Sequence, residues 1–154
     1  MKGYTIRRAG AEDLAIVMHH RRRMFEDMGF KDSQSLDNMM NTSMPLFEAG
    51  LEKGTYQGWL IEDEEGSVVA GGGIILLRFH SHPTDPTPER AWVVNMFTKP
   101  GHRRRGLARL LMSTMVEWCR ATGMQSLYVH ASDDGRSLYE SLGFVPTNEL
   151  RLTL

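Results

Sequence analysis

The chain has one cysteine in 154 residues, so no internal disulfide can staple it. It has no excess of either charge: 18 lysines and arginines face 19 aspartates and glutamates, for a formal net charge of −1. That balance gives no global electrostatic case for a nucleic-acid partner. No apolar run approaches the length that spans a bilayer, so no membrane partner is expected. The opening MKGYTIRRAGAEDL has no apolar signal core, and the expectation is a cytoplasmic protein. No repeat, low-complexity tract or Pro/Ser-rich linker divides the sequence. Residues 1–154 therefore read as a single domain, long enough for a real core. The hydrophobic share of 41% and charged share of 24% are those of an ordinary globular chain.

Periodicity orders the elements. Residues 4–8 alternate as a first strand. Ala11, Glu12 and Asp13 open a helix with acids in its first turn, Leu14, Val17, Met18, Phe25 and Met28 recur at helical spacing, and Gly29 ends it. A second helical stretch runs from Ser33 to Lys53, and Pro45 inside it should break or kink it. Residues 56–61 and 67–78 read as a strand hairpin across the polar EDEEGS. Three prolines in FHSHPTDPTPER make a loop. A strand at 91–98, a helix at 105–121, a strand at 126–131, a helix at 134–142 and a last strand at 144–154 complete the order. The strand–helix–strand unit at 91–131 must be a parallel crossover if both strands share a sheet. The fold class is α/β: a mixed, mostly antiparallel central sheet with helices on both faces.

Chemistry concentrates in TKPGHRRRGLARLLM, residues 98–112. A strand that ends in a Gly-containing turn and feeds a helix presents N–H groups that have no internal partner, and the helix dipole adds positive charge. That is an anion site. Gly106 and Ala108 keep the approach clear of side chains, and Arg103, Arg104 and Arg105 add charge-assisted bonds. The physics indicates phosphate or pyrophosphate. No Gly-x4-Gly-Lys-Ser/Thr loop is present. The triple glycine at 71–73 sits inside a strand and reads as a bulge or a close-packing feature.

This stretch resembles the acetyl-CoA signature of the GNAT superfamily of N-acetyltransferases. Pro100, Arg103, Gly106 and Ala108 fall on its fixed positions. LYVHASDDGRSLYESLGF, 127–144, is similar to that family's later strand, helix and Tyr-x-x-x-Gly-Phe, with Tyr139, Gly143 and Phe144 in place. The resemblance implies a GNAT-like fold and an acetyl-CoA-dependent acyltransferase that needs no metal. It implies that backbone groups of Met96, Phe97 and Thr98 take the pantetheine arm as an added strand would. It places the pyrophosphate on the backbone from Arg104 through Leu107 to Ala108 and a backbone N–H at the thioester carbonyl. Ser132 stands where the family often has an Asn that holds the cofactor arm.

Tyr139 matches the family's acid to the leaving thiolate. A phenol of pKa about 10 can protonate a thiolate of pKa about 8.5 with modest assistance. The bland alternative is a core-edge aromatic beside Leu138 and Leu142. The general base is open. Where relatives often carry Glu, this chain has Val94, followed by Asn95, which can hold a water or the amine but takes no proton. His80, His82, Glu62, Glu89 and a water relay are the remaining candidates. The expected partner is a small-molecule amine, with Glu26, Asp27 and Asp32 as groups that can steer a cation. A protein amine, or a CoA-binding sensor with little catalysis, is the alternative. A homodimer through ELRLTL is possible.

Other features read as structural. HHRRR, 19–23, is a solvated helix face with Arg22 and Arg23 ahead of Glu26 and Asp27. Cys119 is a buried thiol on the apolar face of its helix, and the methionines crowding the first two helices are core filling. His80 and His82 belong to a surface loop rather than a metal site.

Overall fold

The computed structural model describes residues 3–154 and begins with β1, Tyr4–Arg8. A 3-10 turn at Ala11–Asp13 leads into α1, Leu14–Asp27, and then α2, Ser33–Lys53. Next come β2, Tyr56–Asp63, β3, Val68–Arg78, and β4, Glu89–Thr98. A second 3-10 turn, Pro100–His102, precedes α3, Leu107–Ala121, which is followed by β5, Leu127–Val129, and α4, Asp133–Ser141. The strands form one sheet in the order β1-β2-β3-β4-β5. All neighbours are antiparallel except β4 and β5, which α3 joins as the predicted parallel crossover.

Strand alternation puts a core on each face. Val93 of β4 belongs to a cluster with Ile61, Val69 and Ile74, closed by Leu107, Leu111, Met112, Met115 and Cys119 of α3. The next residue, Val94, packs on the opposite cluster of Val17 and Met18 from α1, Phe47 from α2 and Tyr56. Each fully buried Leu or Met on α3 contributes roughly 1.5–3 kcal/mol, so this helix anchors the sheet. Cys119 sits inside that core, and burial pushes its thiol up to about 11.

The three glycines of β3 are cleared for side chains on both faces. A Cβ at Gly73 would stand 2.5 Å from the Tyr56 ring, and one at Gly71 would stand 2.7 Å from His20 Nδ1. On the other face, Gly72 makes room for Met96 and Met115. Both expectations for this triplet hold, because the β3–β4 register also shifts between Gly71 and Gly73.

Two expectations fail. Pro45 does not break α2, which runs continuously through it. The proline and Asn41, one turn earlier, are both exposed, so water can satisfy the carbonyl that loses its partner. The last strand at 144–154 is absent. Val145, Leu150 and Leu152 are exposed there, and β5 is only three residues long, so the alternating ELRLTL has no ladder to join.

β4 and β5 pair only from Ala91↔Leu127 to Val93↔Val129. Trp92 stacks on Tyr128 at 5.0 Å within this short contact and meets His130 at 4.6 Å. Beyond Val93 the two strands part.

Candidate active site

β4 carries an extra residue where it leaves β5. Gly71 pairs with Phe97 and Gly73 with Val94, so Gly72 alone faces both Asn95 and Met96. Asn95 takes the left-handed conformation at φ 59°, which Asn tolerates better than most residues. The bulge turns Val94 and Asn95 toward the α1–α2 face and returns Met96 to the α3 face. On the side away from β3, β4 has no ladder partner among the described residues from Val94 to Thr98. Met96, Phe97 and Thr98 therefore lie along an open edge. The Thr98 carbonyl already accepts from Arg103 Nε at 3.0 Å.

The turn after β4 aims backbone at that opening. Arg104 has φ 61° and Gly106 φ 82°, two left-handed residues in three. Gly106 is the N-cap of α3 and supplies no side-chain cap. Its carbonyl accepts from Leu110 N at 3.0 Å, so the N–H groups of Leu107, Ala108 and Arg109 have no intrahelical acceptor. Two of the three arginine side chains make bonds elsewhere. Arg103 Nη2 bonds Asp27 Oδ2 at 2.5 Å, and Arg105 Nη1 bonds the Tyr4 hydroxyl at 3.0 Å. Of the three, Arg103 alone is paired with an anion; Arg104 and Arg105 are exposed, so backbone and side chains both remain open to an anion at this turn.

Tyr139 lies in the α3-side cluster that holds Val93 and takes in Met96. Its ring packs on Phe144 at 5.7 Å, and burial raises its pKa, so the phenol stays protonated at neutral pH. Ser132 is the N-cap of α4, its Oγ accepting from Gly135 N at 3.2 Å. Its oxygen holds the helix end, and its hydroxyl proton stays available.

The opposite face holds what sequence reasoning missed. Arg21 of α1 turns inward, donating from Nη1 to Asn95 Oδ1 at 3.0 Å and from Nε to Met39 Sδ at 3.1 Å. Its guanidinium sits 5.2 Å from the Phe25 ring centre and 5.3 Å from that of Phe47. Burial pushes the Tyr56 phenol up to about 12. The Asn95 amide and the Arg21 charge oppose that rise. The amide nevertheless falls short of hydrogen-bond geometry, and Asn95 Nδ2 has no partner among the described residues. His20 is buried against Phe97 at 4.9 Å, and burial holds it down to about 4, ahead of the charges of His19 and Lys99. HHRRR is therefore only in part a solvated face. Arg22 and Arg23 both pair with Glu26, whereas Asp27 is taken by Arg103. One signal was available: Arg21 falls four residues after Val17 and four before Phe25, a charge on the apolar stripe of α1.

None of the candidate bases stands at the bulge. Glu62 is held by Arg7 at 2.6 Å, two strands from β4. Glu89 opens β4, six residues or roughly 20 Å before Asn95. His80 and His82 are exposed in the loop after β3. The acids expected to steer a cation are engaged too: Glu26 and Asp27 in ion pairs, and Asp32 as the α2 N-cap.

A sheet edge splayed at a bulge, with an uncapped helix start at its mouth, defines the acyl-CoA N-acyltransferase architecture. The acetyltransferase (GNAT) family profile matches residues 14–144, and the chain belongs to that family of acyltransferases. A GCN5-related N-acetyltransferase from Ralstonia eutropha JMP134 superposes with a TM-score of 0.91 at 30% identity, over 99% of each chain. A predicted acetyltransferase from Clostridium acetobutylicum, solved with acetyl-CoA, gives 0.88 at 24% identity over 97% of this chain and 96% of its own. Glucosamine-6-phosphate N-acetyltransferase from Arabidopsis thaliana gives 0.67 at 16% identity over 99% of both. No curated protein matches by sequence.

Proposed function

We propose that this acyltransferase moves the acetyl group of acetyl-CoA to the primary amine of a small molecule. The observation that carries the reading is the unpaired β4 edge from Val94 to Thr98, opening onto the free N–H groups at the start of α3. Those residues fit the group. Met96, Phe97 and Thr98 offer backbone to the pantetheine amides, and the backbone from Arg104 to Ala108 takes the pyrophosphate. Bound there, acetyl-CoA supplies a thioester carbon open to attack by a neutral amine.

The chain's own groups divide the remaining work. The bulge at Asn95 and Met96 leaves backbone at the open edge that would donate to the thioester carbonyl as its oxygen gains charge. Tyr139, kept protonated by burial, holds a proton for the departing sulfur. Asn95 positions the amine or a water beside it. The amine's own proton leaves by water to bulk solvent, since the candidate carboxylates and imidazoles stand elsewhere. The small-molecule relative named above supports an acceptor of that size.

A thermal-shift titration with acetyl-CoA tests the first half, because a ligand of the native state must raise the melting temperature. Thiol release across a panel of amines tests the second. A rise in melting temperature with thiol release on one amine class is the expected result. No rise at saturating acetyl-CoA overturns the reading.

A further inference from the structure

Arg21 is a cation without an anion. Among the described residues no carboxylate reaches it, although its neighbours Arg22 and Arg23 both pair with Glu26. Its two acceptors are the neutral Asn95 Oδ1 and the Met39 sulfur, and neither compensates a charge. Burial disfavours that charge, yet a guanidinium does not give up its proton in a protein. The Phe25 and Phe47 rings fix the group, leaving Nη2 with no acceptor among the described residues. Beside it, Asn95 is 2% exposed, and among the described residues its Nδ2 donor, near the buried Tyr56 phenol, makes no hydrogen bond. A charged planar fork and an orphaned amide donor thus meet on one face of the bulge, where the acetyl group must be delivered.

A cavity lies beyond two of the residues around Arg21. It measures about 440 Å³ at the α1–α2 turn, with Phe25, Phe30, Leu36 and Met39 as its apolar lining and Lys31 and Asp32 as its charges. Phe25 and Met39 both line the cavity and touch the Arg21 guanidinium, so the charge lies one side chain behind the cavity lining.

We infer that Arg21 and Asn95 Nδ2 receive the carboxylate of the acceptor, which is an amino carboxylate whose apolar body lies along Phe25 and Met39 toward the α1–α2 cavity. One guanidinium with one neutral donor matches a planar monoanion in charge and shape. The inference rests on the amine-acetylation reading above and names its substrate class.

Matched acceptors test it in the full-length protein with acetyl-CoA: phenylalanine, phenylalaninamide and phenethylamine, and the same three forms of leucine. They share an amine and an apolar body and differ in the carboxylate. The wild type is expected to favour the carboxylates by about a hundredfold in kcat/KM, the scale of a buried charge pair that loses a partner. Arg21→Met should level that ratio, and Arg21→Lys should retain part of it, with the acetyl-CoA melting shift unchanged in both. Thermal shift with the amino acids gives a binding readout that does not need turnover. Equal use of acid and amide, binding of neither, or a preference that survives Arg21→Met overturns the inference and leaves acetylation standing. Absence of any acetyl-CoA shift in the wild type overturns the acetylation reading and the inference with it.

Discussion

On the α3 side of β4, open polar groups include backbone along the strand edge and the uncapped N–H groups of Leu107, Ala108 and Arg109. On the α1–α2 side they are side chains: Arg21, Asn95 and Tyr56, brought together from three elements. Backbone sites depend on where the chain turns, and so on glycine and proline at fixed spacing. Side-chain sites depend on which distant residues meet. The first kind can be shared by many proteins that use one cofactor, whereas the second kind sets what each protein does with it.

The largest expected effect tests the one side chain given a chemical role on the α3 side. Tyr139→Phe should lower kcat by about 10²–10⁴-fold and leave acetyl-CoA affinity nearly unchanged. The protonated phenol is the donor, so kcat should fall on the alkaline side, and burial moves that limb above the ordinary phenol value of 10.0. A loss of affinity equal to the loss of kcat would return Tyr139 to a packing role.

Next comes the acid sensitivity of the side-chain face. The unfolded chain takes a proton on His20 near 6.5 and the folded chain near 4. Stability is therefore full above pH 6.5 and is lost as pH falls, by up to about 3 kcal/mol below pH 4. His20→Phe should keep the ring on Phe97 and remove that part of the loss. Urea midpoints at pH 7.5 and 4.5, wild type against variant, measure the difference; equal acid sensitivity would refute it.

Gly106→Val should cost about tenfold in acetyl-CoA affinity, because a β-branched residue resists φ 82° by roughly 1–2 kcal/mol. Arg104→Gln should cost less than about 1 kcal/mol, as an exposed charge does. Titration calorimetry of both variants sharpens the contrast. If the arginine side chain costs more than the glycine, the site is not backbone-built.

The same contrast explains what was legible in the sequence. Glycine, proline and alternation point to the β4–α3 turn, the crossover, both helix-bearing faces and the crowding at Gly71–Gly73. Arg21 was missed because its meaning depends on Asn95, 74 residues away. A run of five basic or imidazole residues reads as solvated until the fold turns two of them inward. ELRLTL alternates like a strand, but alternation records an ability to pair, and the three-residue β5 leaves nothing to pair with. Pro45 stays in α2 because its helix faces water there, a fact of tertiary placement.

The stack of Trp92 on Tyr128 stands at the tip of the gap between β4 and β5. A ligand that enters that gap acts as a wedge, and a wedge loads the material at its tip. The indole is therefore an optical gauge already built into the enzyme. Its emission, followed in a stopped-flow instrument, would time the arrival and departure of a ligand in the gap without any label, and Trp92→Phe would remove that change while leaving the emission of Trp59 and Trp118.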